Sequence, residues 1–316
     1  MSRLSQYSQP LKKTIVLGLS IALVAGAALV TIKPERAAAA SPTTINQTTS
    51  SAIYNKFERY VKNASTLATA RNYLINNIGR VSVSQATIMT LHLENAQKAQ
   101  LDAFSEKWYP ENIQKIINQA YQQKGDSFPG LLSVVKDSKT RALLIETRDK
   151  GYKLKTSEGM YYPVMHYQGF QQFKSHVKKD IAVYIDVMAV ESNNPMMNDG
   201  AIVIGWDEVI DRALQIEDFL KNYPNSNRGA VIRNEFSYMK SRVFYGASNT
   251  PVYDSADGKV LKLETEVREA YEAAIAKDTG GSKLIESLEQ LLDLLDGTDG
   301  VRTKEVDTFL EQVVEN

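Results

Sequence analysis

GYKLKTSEGMYYPVMHYQGFQQFKSH, residues 151–176, is the densest aromatic stretch of a chain otherwise written in helical periods. YKLKT alternates Tyr152, Leu154 and Thr156 against Lys153 and Lys155, SEG signals a turn, and MYYPVM supplies a second short apolar run. Alternation of period 2 on both sides of a turn predicts a β-hairpin. Pro163 confines the second strand to an edge or a bulge, because it brings no N–H to the ladder. The pattern sets Tyr152, Leu154, Tyr162 and Val164 on an inner face, packed on helices. Lys153 and Lys155 then share the outer face, with Tyr161 exposed on the neighbouring strand. A third short strand, AIVI (201–204), is expected to join the hairpin after the Asp199-Gly200 turn.

On either side of this stretch the period lengthens to 3.6. Ile113, Ile116, Ile117, Ala120 and Tyr121 make one helical stripe, opened by Pro110 and closed by Gly125. Residues 53–145 read as three or four helices. Beyond the hairpin, Phe170, Phe173, Val177, Ile181, Tyr184 and Met188 step by three and four as a single stripe. Trp206, Val209, Ile210, Ala213 and Leu214 carry the next helix. Ile232, Phe236, Met239 and Val243 carry another, and Leu284 to Leu295 and Val306 to Val313 the last two. FLKNYPNSNRG and AYEAAIAKDTGGSKL look like the helix–turn–helix junctions of tetratricopeptide-like proteins. Two copies without the rest of that consensus indicate helical hairpins, not a repeat array. The fold class expected is mainly α, helical hairpins or a bundle with one small antiparallel β-hairpin or three-stranded sheet.

The N-terminus predicts export. Lys12 and Lys13 precede an uncharged run from Thr14 to Ile32, and AAAAS follows, the order of a secretory signal peptide with cleavage after Ala40. The alternative is an uncleaved membrane anchor, since the run is nearly long enough to span a bilayer. The organisation expected is a signal peptide (1–40), a flexible polar leader (41–52), an N-terminal helical region (53–150), a central hairpin-plus-helices region (151–255) and acidic C-terminal helices (256–316). The chain has no cysteine, which excludes disulfides, thiol catalysis and cysteine–metal sites. Formal net charge is zero, but the first forty residues hold five basic side chains and one acidic, leaving 32 basic against 36 acidic. Residues 136–179 carry ten Lys/Arg against four Asp/Glu, and residues 257–316 seven against fifteen. A balance so near neutral does not describe a nucleic-acid binder.

Motifs for chemistry are few. The three histidines, His92, His166 and His176, lack any metal-ligating spacing, so neither a metal nor another cofactor is expected. There is no G-x-S-x-G, no P-loop and no G-x-G-x-x-G. DSADGK (254–259) fails the register of a calcium loop and reads as a turn. Asp207 and Asp211 stand at i and i+4 on one helix face and Glu191 ends the preceding helix, a trio with the chemistry for glycoside or peptide hydrolysis. Equally, Asp207 is placed to stabilise the helix start. The binding candidates are Lys153, Lys155, Tyr161, Lys178 and Lys179, lysines to meet an anionic wall polymer and a tyrosine face to stack on carbohydrate.

GYKLKTSEGMYYPVMHY, DVMAVESN, GWDEVIDRALQIEDFLKNYPNS and YGASNTPVYD together resemble uncharacterised secreted proteins of Gram-positive spore-forming bacteria, over about residues 130–255. The resemblance implies export and a Gram-positive source and transfers no catalytic residue. The leading expectation is a secreted or wall-associated binding or structural protein of the cell envelope. A carboxylate hydrolase of wall glycan or peptide, using Glu191, Asp207 and Asp211, is the second. A membrane-anchored helical interaction domain is the third.

Overall fold

Ser50, Ile53, Phe57 and Val61 recur along one side of the first helix, α1 (Gln47–Val61), and all four are buried. That spacing corrects the expected leader: a polar, low-complexity run still presents one face to the core, and the helix begins at Gln47. Residues 41–46 and the expected signal peptide lie outside the described residues, which in the computed structural model are 47–255 and 258–315. All of these belong to one compact unit, Ile45–Asn316.

Six helices, not three or four, fill the N-terminal region: α1, then α2 (Leu67–Asn77), α3 (Val83–Ser105), α4 (Glu111–Lys124), α5 (Phe128–Val134) and α6 (Ser138–Lys150). Side-chain caps explain the extra starts. Ser82 closes a capping box with Gln85, and Ser127 and Asp137 accept from the backbone of Gly130 and Thr140. Each cap satisfies N–H groups that the first turn cannot satisfy internally. Gly151 ends α6 at φ +86°, and a Cβ there would stand 2.5 Å from Gln97 Nε2 and 2.8 Å from Arg71 Nε. Only glycine fits that position.

The hairpin forms as β1 (Tyr152–Ser157) and β2 (Met160–Met165), joined through Glu158 and Gly159 at φ 50° and 75°. Two positive φ values make the two-residue turn that suits strand twist. Its register pairs Thr156 with Tyr161 and Lys155 with Tyr162. Paired residues share a face, so Tyr161 and Pro163 go inward with Tyr152 and Leu154, and the expected inner face of β2 is inverted.

Next comes a 3₁₀ segment, Tyr167–His176, and then α7 (Lys179–Asn193). The single stripe expected from Phe170 to Met188 is thus two elements. Val177 is extended between them, and Thr87 Oγ1 accepts from Lys178 N at 2.9 Å. Phe170 and Phe173, three apart, suit a 3₁₀ turn as well as an α-helix, so the period alone cannot separate the two. The AIVI segment does not join the hairpin. Met197–Asn198 (β3) pairs with Ala201–Ile202 (β4) across the Asp199-Gly200 turn, in a separate ladder.

Five helices complete the chain among the described residues. α8 (Trp206–Asn222) packs on α9 (Gly229–Tyr245). Short ladders of β5 (Gly246–Ala247) with β6 (Thr250–Pro251) and β7 (Tyr253–Asp254) with β8 (Lys262–Leu263) lead to α10 (Thr265–Lys277), α11 (Lys283–Asp296) and α12 (Lys304–Glu315). α10 packs on α8 and α12 on α9. Tyr271 Oη donates to the Val243 carbonyl, and Lys240 Nζ to that of Val313. The protein is mainly helical, with small antiparallel two-stranded ladders.

A buried ionic knot fixes α7 and α9 on α3. Glu94 retains 2 % of its surface. Its Oε2 accepts from Arg228 Nε and Nη2 at 3.0 and 2.6 Å, and its Oε1 from Lys98 at 2.9 Å, Tyr167 at 2.7 Å and the Tyr184 hydroxyl. Burial alone would raise this carboxyl, but Arg228, Lys98 and the Tyr184 hydroxyl hold it below its ordinary value.

Candidate functional site

α7 stops where it does because Asn194 precedes Pro195, and the residue before proline is driven out of the α region. Glu191, in the last turn, is therefore left beside the chain as it turns toward Met196. Both its carboxylate oxygens accept from Met196 N, at 3.2 and 3.1 Å, and Oε2 accepts from Arg212 Nη1 at 2.8 Å. Arg212 is 6 % exposed. Its Nη2 donates to the Asn194 carbonyl at 2.8 Å and to Glu208 Oε1, which also receives Nε at 3.2 Å and Asn194 Nδ2 at 3.2 Å. The guanidinium fork thereby ties the end of α7 to the first turns of α8.

Above this clamp α7, α8 and α9 enclose a cavity of about 190 Å³. Its walls are apolar, with Met188, Met196, Met239, Val187 and Ile216 among them, and Glu191, Arg212 and Glu235 supply the charge. Glu235 is half-buried, and among the described residues its carboxylate makes no hydrogen bond or ion pair. Burial against these walls pushes the Glu191 carboxyl up, and the Glu235 charge pushes the same way. The Met196 N–H, Arg212 and Lys155 pull in the opposite direction. An apolar chamber with a few converging polar groups is the common form of a small-molecule site.

Met188 and Glu191 also line a second, more open groove of about 210 Å³, bordered by Lys153, Lys155, Val164, Ser192 and Pro195. Lys153 Nζ donates to the Ser192 carbonyl, and burial lowers its pKa. Of the five binding residues expected, only Lys153 and Lys155 meet here. Lys178 and Lys179 are exposed at the start of α7, and Ser192 lies near its end, about 20 Å along the axis at 1.5 Å per residue. Tyr161 is 5 % exposed and held by α4. Its hydroxyl donates to Asn118 at 2.9 Å, its N–H to Gln114 Oε1 at 2.8 Å, and its ring lies 5.1 Å from that of Tyr121. It offers no face to a ligand.

The acidic trio also separates. Asp207 and Asp211 are exposed and do not line the cavity, whereas Glu208, between them, turns to Arg212. Positions i and i+4 share a helix face, and here that face points away from Glu191. The partners that do converge, Arg212 and Glu235, had a sequence signal: each is a charge at a core position of an apolar stripe. Arg212 falls among Val209, Ala213 and Ile216, and Glu235 between Ile232 and Met239. Among the described residues no group of three or more His, Asp and Glu is placed to hold a metal ion, and no helix is long and apolar enough to cross a membrane.

In comparisons with known proteins, no family model, no curated protein and no solved structure matches this chain.

Proposed function

We propose that the protein is an exported, non-catalytic binding protein of the cell envelope, and that its ligand enters the cavity between α7, α8 and α9. The observation that carries this is Glu235, a carboxylate without a protein partner among the described residues, on the wall of an apolar chamber that Glu191 shares. A ligand with an apolar body and an amine head satisfies both features. The body replaces water on the methionine and aliphatic walls, worth about 25 cal/mol per Å² buried, and the amine pairs with Glu235. Export rests on the basic, apolar and A-x-A segments of residues 1–40, together with the likeness to secreted proteins of Gram-positive spore formers.

Titration calorimetry with hexylamine, hexanol and hexanoate tests the ligand class. Hexylamine is expected to bind best, and Glu235→Gln to weaken it about tenfold, the scale of one charge-assisted hydrogen bond. Equal binding of hexanoate, or a Glu235→Gln variant that binds as wild type does, rejects the reading.

The raised carboxyl of Glu191 beside Glu235 favours one second reading, a hydrolase of wall glycan or peptide using that pair as acid and base. Release of soluble fragments from purified walls, abolished by Glu191→Gln, would decide for it.

A further inference from the structure

Arg71 of α2 enters the corner where α6 ends. Its stem lies against Gly151, where a Cβ would stand 2.8 Å from both Cδ and Nε. The side chain is half-buried, yet among the described residues its guanidinium makes no hydrogen bond or ion pair. Asp149, whose field reaches it, is bound by Arg148 Nε at 2.8 Å. Burial outweighs the pull of Asp149 and lowers the Arg71 pKa, so holding this cation half out of water costs free energy.

A second nitrogen faces the same place. A Cβ on Gly169 would stand 3.5 Å from His166 Nδ1 and 4.0 Å from Arg71 Nη2. Both side chains therefore border one stretch of backbone that carries no side chain. Lys153 approaches from β1: its Nζ reaches the Ser192 carbonyl, and Ser192 Oγ accepts from Tyr167 N, the residue after His166, at 3.2 Å. Burial lowers the His166 pKa, and the charges of Lys153 and Arg71 lower it further. The acids acting on Lys153 are Asp126 and Glu191. Arg71 and His166 thus meet at Gly169, and the charge of Lys153 reaches His166 from the β1 side.

We propose that Arg71, His166 and Lys153 form a binding site for a phosphate group, either free or carried on a phosphodiester polymer. Donors arriving from α2, from β1 and from the start of the 3₁₀ segment suit a tetrahedral oxyanion better than a planar carboxylate. The Arg71 fork can take two of its oxygens. Lys153 also borders the groove that Glu191 lines, but none of the three residues lines the cavity between α7, α8 and α9, so the site stands whether or not that cavity binds amines.

The test is titration calorimetry of the purified protein at constant ionic strength with inorganic phosphate, with poly(glycerol phosphate) and with acetate. Wild type is expected to bind at least one phosphate form more tightly than acetate. Arg71→Met should weaken that binding about tenfold or more, on the scale of a lost charged hydrogen-bond pair, and Arg71→Lys should weaken it less. Because Arg71→Met removes a desolvated cation, its melting temperature without phosphate should equal or exceed that of wild type, which separates lost binding from lost folding. His166→Gln supplies an independent variant with the same expected direction. Preference for the polymer over the free ion assigns the source, and the reverse preference assigns free phosphate. Failure of both forms to bind, binding of acetate equal to phosphate, or unchanged affinity in Arg71→Met overturns the proposal.

Discussion

Arg228→Met is expected to destabilise the protein by about 3–5 kcal/mol at pH 7, the cost of stranding a buried charge by removing its partner. The structure sets that magnitude. Glu94 is 2 % exposed and takes two hydrogen bonds from Arg228, so it has no route to water when the guanidinium goes. Lys98 and the Tyr167 and Tyr184 hydroxyls remain, which keeps the cost below that for an isolated buried ion. For a chain of this size the loss lowers the melting temperature by roughly 10 °C. The pH dependence follows from the direction of the Glu94 shift. A carboxyl held below its ordinary value of 4.5 contributes stability in full above 4.5, and that contribution disappears as the pH falls through the lower folded value. In Arg228→Met, burial is no longer opposed by that cation, so protonating Glu94 relieves the variant. The gap between variant and wild type should therefore be widest at pH 7 and narrow below pH 4.5. Urea unfolding followed by circular dichroism at pH 7 and pH 4 measures both gaps. Glu94→Leu combined with Arg228→Met should cost less than the two single changes together, by about 1–3 kcal/mol of coupling. A cost under about 1 kcal/mol at pH 7, or a gap that does not change with pH, would refute the claim that a buried ion pair locks α7 and α9 to α3.

Three further outcomes are expected. Tyr161→Ala should cost about 3 kcal/mol or more in urea unfolding, as for other buried aromatics, whereas the solvent-facing Lys155→Ala stays within about 0.5 kcal/mol. Glu158→Asn should stabilise the hairpin by a few tenths of a kcal/mol up to about 1, because Glu158 sits at φ 50° and asparagine tolerates positive φ better. On expression in a Gram-positive host, mass spectrometry of the extracellular or wall fraction should find a protein beginning at Ser41. An intact N-terminus in the membrane fraction would support the anchored alternative instead.

How far the sequence could be read depended on which physical signal each element used. α4 and α8 follow a 3.6-residue period with proline, glycine or acidic punctuation, and both stand where that period puts them. The hairpin is legible from alternation and the SEG turn, but alternation alone does not fix which face of the second strand is buried. A two-residue loop pairs Ser157 with Met160, and counting outward from that pair sends Tyr161 inward beside Thr156. The break at Val177 depends on a contact with Thr87, ninety residues away in sequence, so no local pattern carries it. The site was the least legible part. Asp207 and Asp211 were prominent because acids at i and i+4 look like chemistry, yet both face outward. Arg212 and Glu235 were hidden among the apolar residues that bury them. Arg71 was invisible for a different reason: its place is set by where α6 ends against α2, a tertiary fact.

The central claim, that the cavity between α7, α8 and α9 takes an apolar ligand with an amine head, can be read at the methionines that line it. Met188, Met196 and Met239 border the cavity, while Met89, Met160 and Met197 lie elsewhere and serve as references. Methyl-labelled methionine NMR during a hexylamine titration reports each of them separately. Saturable shifts are expected at Met188, Met196 and Met239, with small or no shifts at the reference methyls and loss of the response in Glu235→Gln. Shifts confined to the reference methyls, or a Glu235→Gln titration that matches wild type, would contradict it.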